Sequence, residues 1–193
     1  MDTTTLGLRE RKKAETRQAV HEAALRLVVE HGFDGVTVEA IADAANISRR
    51  TFSNYFAGKE DALLYGEGKR FRRLVALVRE QPPGDSAWQA MWAAIEQLYE
   101  EVGIPDREWA VRTRLAKKHP ALLARQLAIH AALERELAQA IADRRAPARP
   151  RVMAAAFLGA LRLATHQWIE EEESRSLVEI SREIMDEVAR PFT

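Results

Sequence analysis

Residues 36–61 read VTVEAIADAANISRRTFSNYFAGKED, and they decide the fold. Thr37 is positioned to cap a helix whose first turn carries Glu39, where the helix dipole favours an acid. Ile41, Ala42 and Ala45 then fall at helical spacing on one face. Ala45, Asn46 and Ile47 break the pattern, and asparagine tolerates the left-handed backbone that a tight inter-helix turn needs. Ser48 caps a second short helix, with Phe52 and Phe56 four residues apart on one side. Arg49, Arg50, Ser53 and Asn54 are left on the opposite side. The pattern is a helix-turn-helix whose second helix turns a polar, cationic edge outward.

That edge suits a duplex. An α-helix fits the major groove, where arginine can donate two hydrogen bonds to guanine O6 and N7 while Ser, Thr and Asn read other base edges. Short helix pairs also occur in proteins that never touch DNA. The Arg49-Arg50 pair at the helix start, with Tyr55 and Lys59 just beyond, tips the reading toward DNA.

Thr37, Ala40-Ile41-Ala42, Ala45, Ile47-Ser48, Thr51-Phe52, Tyr55-Phe56 and Lys59-Glu60 resemble the signature of the tetracycline-repressor (TetR) family, as do Ala24 and Phe33-Asp34-Gly35 before them. The resemblance covers roughly the first third of the chain. It implies a dimeric, all-helical, ligand-responsive transcriptional regulator, usually a repressor. Asn46 stands where the family commonly has glycine, and Ser53 where an aromatic residue is common, so one usual DNA contact is shortened or absent.

Composition sets the outer bounds. The 193 residues can bury a good core as one or two domains; 47% are apolar and 30% charged, which suits a helical protein. Cysteine is absent, which excludes disulfides, thiol catalysis and Cys-ligated zinc. Residues 1–7 hold no signal-peptide core, and the longest apolar run, residues 152–161, is too short to span a bilayer, so a cytoplasmic protein without membrane contact is expected. Charge does not advertise nucleic-acid binding, since residues 1–80 carry 14 Lys+Arg against 12 Asp+Glu and the remainder 15 against 17. Local placement must serve instead. Arg9, Arg11, Lys12, Lys13 and Arg17 cluster at the start of the first helix, where phosphate contact is favoured because the adjoining helix-turn-helix is independently supported.

Taken in order, the chain reads as all-α, with about nine helices. The first spans residues 8–31, ends at Gly32, and packs Val20, Leu27 and Phe33 with Ile41, Ile47, Phe52 and Phe56 as a three-helix unit. A fourth helix runs from about residue 59 to about residue 80 and connects a DNA-binding domain, residues 1–58, to an effector-binding and dimerisation domain, residues 59–193. Gln81-Pro82-Pro83-Gly84 is the clearest break. Ser86 and Gln89 form a capping-box pattern opening the fifth helix. Pro105 suits the first turn of a helix to about residue 118, and Pro120 that of one to about residue 144. The eighth spans about residues 150–169, and Ser176 with Glu179 marks a capping box for the ninth.

Two sets of residues beyond the duplex-facing edge are functional candidates. Trp88, Trp92, Trp109, His130, His166 and Trp168 could wall an effector pocket, with ordinary core packing as the competing reading for each. The eighth helix carries Ala154, Ala155, Ala156, Gly159, Ala160 and Ala164, small enough to let another helix approach closely. That seam could lie within one subunit. The family resemblance implies instead that the last two helices pair with their mates across a two-fold axis, with Ala155, Gly159, Leu163, Ile180 and Ile184 in the homodimer interface.

The expected function is a repressor that binds a palindromic double-stranded operator as a homodimer and is released by a small apolar or aromatic effector. Arg49, Arg50, Thr51, Ser53 and Asn54 are the candidates for base readout, and Thr37, Tyr55 and Lys59 for phosphate contact. No cofactor and no metal site are expected: the histidines lack metal-ligand spacing, and residues 170–173, four consecutive glutamates, do not share one helix face. Glycine-rich phosphate loops, nucleophile elbows and His-Glu-x-x-His motifs are absent, which argues against an enzyme. An activator or ligand-independent repressor of the same fold stays open, as does a helical ligand-binding or scaffolding protein that uses its N-terminal unit for protein contact.

Overall fold

The computed structural model describes residues 7–104, 115, 118–146, 148–171 and 174–190. Among them it is all-helical: α1 Leu8–His31, α2 Val38–Ala44, α3 Arg49–Ser53, α4 Lys59–Leu63, α5 Tyr65–Glu80, α6 Ala87–Val102, α7 Pro120–Ala140, α8 Pro150–Glu170 and α9 Leu177–Ala189. The helix expected over residues 105–118 lies, apart from Leu115 and Lys118, outside the described residues. The chain divides into two compact units, residues 1–69 and 70–193, past the expected boundary at residue 58 and inside α5.

The N-terminal unit is built around Val20, Ala23 and Ala24 of α1, Ile41 and Ala42 of α2, and Phe52 and Phe56, all buried. Local chemistry sets its helix ends. Gly32 closes α1 at φ +73°, its N–H bonding to the Val28 carbonyl. Three residues on, Gly35 passes so close to the His31 carbonyl that a Cβ would lie 2.6 Å from its oxygen. The Thr37 hydroxyl accepts from the Ala40 N–H (3.1 Å) and opens α2. Ser48 does the same for α3, accepting from Thr51 N–H (3.0 Å). Between them Asn46 sits at φ +54°, the left-handed turn conformation expected of it.

The helix expected over residues 59–80 is two helices, α4 and α5, meeting at Leu64. The reason lies on α1. His21 is buried, and its Nδ1 hydrogen-bonds the Ala62 carbonyl at 2.8 Å, so a side chain takes a carbonyl in the last turn of α4. Its other ring nitrogen lies where a Cβ on Gly66 would come within 2.6 Å. Glycine therefore opens the space for the imidazole at the start of α5, and a row of rings completes the contact, Phe52 tilted on Phe56 and Tyr65 edge-on to both Phe56 and His21, with centroids 5.7–6.0 Å apart.

In the C-terminal unit, α5, α6, α7, α8 and α9 share a core that includes Leu74, Leu77, Met91, Leu137, Met153, Phe157 and Met185. The Ser86–Gln89 capping box opens α6 as expected. Ser176 caps α9 through the Val178 N–H (3.3 Å), the second position of the helix and not the third that a capping box uses. Helices α5 and α6 are tied by Arg73, which donates from Nε and Nη2 to both oxygens of Glu101 (2.7 and 2.6 Å). That fork holds the Glu101 carboxyl below the usual carboxylate range. At the far end of α5, Arg144 donates to the last-turn carbonyl of Val78 (2.9 Å), which a helix C-terminus leaves without a backbone partner, and to those of Gln81 (2.8 Å) and Pro82 (2.7 Å) just beyond it. No helix of the described residues is long and apolar enough to cross a membrane.

Phe52 is essentially fully buried in the smaller unit. Phe52→Ala should lower the unfolding free energy of that unit by about 3–5 kcal/mol, read by chemical denaturation. A variant that keeps full stability and loses only DNA affinity would contradict the anchoring role.

Candidate nucleic-acid interface

The site is the outer side of α3 with the start of α2 beside it. Burial of Phe52 and Phe56 fixes which side of α3 faces out, and Arg49, Arg50, Ser53 and Asn54 are all exposed there. Thr51 is half-buried, and its hydroxyl lies 2.9 Å from that of Ser48, so the cap engages it. Among the five residues expected to read bases, Thr51 is therefore the most committed to the protein itself.

Arg49 is not isolated. Its Nη1 lies 3.1 Å from Glu39 Oε1 in the first turn of α2, an ion pair across the turn of the motif. The sequence reading assigned Glu39 only to the helix dipole and missed this contact. The periodicity could have suggested it, since both residues fall on the exposed side of their helices.

The three residues expected on phosphates divide. Thr37 is exposed, and while its oxygen accepts from Ala40 its own O–H remains a donor. The Tyr55 ring is half-buried against the core, with the Arg17 guanidinium 5.3 Å from its centroid. Lys59 is partly engaged by the protein itself. Its ammonium donates to the carbonyls of Phe33 (2.8 Å) and Val36 (2.9 Å) and sits 4.3 Å from the Phe33 ring centroid. Two of three N–H donors thus hold the α1–α2 connection, and the residue is part of the framework behind the reading face. In the basic cluster on α1, Lys13 pairs with Glu10 (2.7 Å) and Arg11 with Glu15 (3.6 Å). The Lys13 hydrogen bond pulls the Glu10 carboxyl down.

The described tryptophans among the effector candidates pack in two clusters. Trp88 is buried edge-on to Phe157, with ring centroids 5.6 Å apart, and Trp92 packs half-buried against the same core. Trp168 belongs to a separate cluster with Ala164, Ile169, Leu177 and Ile180. His130 is half-buried against Phe71 (5.2 Å), His166 is half-buried, and Trp109 lies outside the described residues. Two polar groups in the C-terminal unit were not anticipated. Desolvation pushes the phenol of the half-buried Tyr99 up, and the Ser181 hydroxyl is wholly buried on the apolar side of α9, where a serine in an apolar stripe was the available signal.

Of the expected interface residues, Ala155 and Leu163 are exposed while Gly159 and Ile184 are half-buried. Ile180 is fully buried within its own chain, packed in the cluster of Trp168 and Leu177, and so has no surface for a partner. Among the described residues no group of three or more His, Cys, Asp or Glu could hold a metal ion.

An outward-facing, capped second helix on a core-anchored turn defines a helix-turn-helix DNA-binding protein. Residues 21–65 match the model of the bacterial regulatory proteins, tetR family, and residues 85–193 match that of the MftR C-terminal domain. The chain is 31% identical to the HTH-type transcriptional regulator TcmR of Streptomyces glaucescens over 84% of its length and 76% of that protein's. It is 28% identical to a regulator named for mycofactocin biosynthesis, MftR of Mycobacterium tuberculosis, over 88% and 87% of the two chains. The structure of Thermus thermophilus FadR, a TetR-family repressor in complex with lauroyl-CoA, superposes with a TM-score of 0.54 at 22% identity, covering 89% of this chain and 92% of that one. The chain belongs to the tetR family of bacterial transcriptional regulators.

Lys59→Ala should lower the stability of the N-terminal unit by about 1.5–3 kcal/mol, the scale of hydrogen bonds from a charged donor. It should leave the salt dependence of DNA binding unchanged. A shallower slope of log affinity against log salt would return Lys59 to the phosphates.

Proposed function

We propose that the protein is a repressor that binds a palindromic operator as a homodimer in the cytoplasm and is released by a small apolar or aromatic effector, with no catalytic activity of its own. The observation that carries this reading is the exposed edge of α3, with Arg49, Arg50, Ser53 and Asn54 facing out over buried Phe52 and Phe56. One five-residue helix reads too few bases to be selective. Two copies related by a two-fold axis double the site, at a separation of about 34–36 Å or a multiple of it.

Helix α8 supports the dimer. Val152 (51% exposed), Ala155, Gly159 and Leu163 (55% exposed) recur every three or four residues along one side, and a Cβ added at Gly159 would meet nothing within 4 Å. An exposed apolar stripe with open space beside a glycine suits close approach of a second helix. The effector reading rests on the family and on the aromatic content of the C-terminal unit. FadR of Thermus thermophilus binds lauroyl-CoA, but at 22% identity that likeness carries the fold alone. An effector that fits one arrangement of the C-terminal unit would act through α5, the helix that carries the chain across the boundary between units. It can shift DNA affinity only by its differential affinity for the two states.

Leu163→Arg should convert a dimer to a monomer by light scattering at micromolar concentration, with unchanged helical circular dichroism because Leu163 is exposed. A wild-type chain that is monomeric at high concentration would sink the palindrome. On an operator taken from the protein's own upstream DNA, Arg49→Ala should relax discrimination at one base pair per half-site by about 1–3 kcal/mol, measured by competition binding. Equal weakening on operator and random DNA would refute base reading by Arg49.

A further inference from the structure

We propose that Glu39 is a specificity-determining positioning residue, which aims Arg49 at a base and keeps it off the phosphates. The proposal rests on the reading of α3 as the base-reading helix. Glu39 Oε1 lies 3.1 Å from Arg49 Nη1, and the two side chains are 54% and 73% exposed. The ion pair spans the turn of the motif. That turn is rigid: Ile47 N–H bonds to the Ala42 carbonyl (2.9 Å), Asn46 holds φ +54°, and both flanking helices are capped by side chains. The spacing of the two backbone positions that carry the carboxylate and the guanidinium is therefore set by the fold.

Stability does not account for the contact, because ion pairs this exposed contribute little in high dielectric. Nor is a carboxylate on this edge favourable by itself. It faces a polyanion, and every phosphate near it raises the cost of approach. What it supplies is direction. An unrestrained arginine at the exposed start of a helix can reach a phosphate as readily as a base edge. Arginine carries five N–H donors in a planar fork, and a carboxylate engaged at Nη1 leaves Nη2 and Nε, enough for the two acceptors of guanine. The paired charges also nearly cancel toward the backbone, which moves the contribution of Arg49 from the sequence-independent term to base readout.

The test uses the full-length protein and a duplex selected from a random library, with every single base-pair variant of that duplex as competitor. Wild type should discriminate most strongly at the base pair that Arg49→Ala relaxes. Glu39→Ala should bind random DNA several-fold more tightly and lose about tenfold in discrimination at that same pair, with the other positions unmoved. Glu39→Gln keeps an oxygen for Nη1 and should retain most of the discrimination. In the Arg49→Ala background, adding Glu39→Ala should change only the affinity for random DNA. Uniform scaling of all base-pair variants by Glu39→Ala overturns the proposal, and so does an identical loss with or without Arg49. Relaxation at a different base pair would make Glu39 itself a reader of a cytosine amino group and overturn it as well. If Arg49→Ala changes no base preference, the α3 reading fails first, and that result is distinct from one in which Arg49 discriminates and Glu39 is inert.

Discussion

The burial of Phe52 and Phe56 is the constraint on which the N-terminal unit depends. Helix α3 is five residues long, too short to persist by propensity, and is held by its inner side and its cap. Because Phe52 is pinned in the core, the orientation of the whole helix is fixed, with Arg49, Arg50, Ser53 and Asn54 facing out and Thr51 half-buried at the cap. The same apolar contact that stabilises the unit therefore decides which chemistry it presents.

Much of this was legible in the sequence because it is local. The caps at Thr37, Ser48 and Ser86, the left-handed Asn46, the break at residues 81–84, and the spacing of Phe52 and Phe56 each involve groups within a few residues of one another. Periodicity and capping chemistry read such groups directly.

What escaped depends on partners far along the chain. A lysine after the recognition helix looks like a phosphate ligand until the carbonyls of Phe33 and Val36, 26 and 23 residues earlier, are found beneath it. The continuous apolar face of residues 59–80 gives no sign that His21, 41 residues away, will claim the Ala62 carbonyl and divide the helix. Ile180 follows the same logic in reverse. An isoleucine on the stripe of α9 satisfies either an interface or a core, and only the position of Trp168 and Leu177 shows that the core takes it. Among the aromatic candidates for the effector, residue type does not say that Trp88 and Trp92 join one cluster and Trp168 another.

The clamp of Arg144 on the end of α5 bears on how the chain acquires its structure. The carbonyls of Val78 and Gln81 receive a side chain 66 and 63 residues later. On the ribosome, where the chain emerges from its N-terminus, residues 1–69 can close their own core while that helix end is still hydrated and fraying. Completion of the larger unit is therefore ordered in time: the reading head matures early, and the part that would listen for a small molecule matures late.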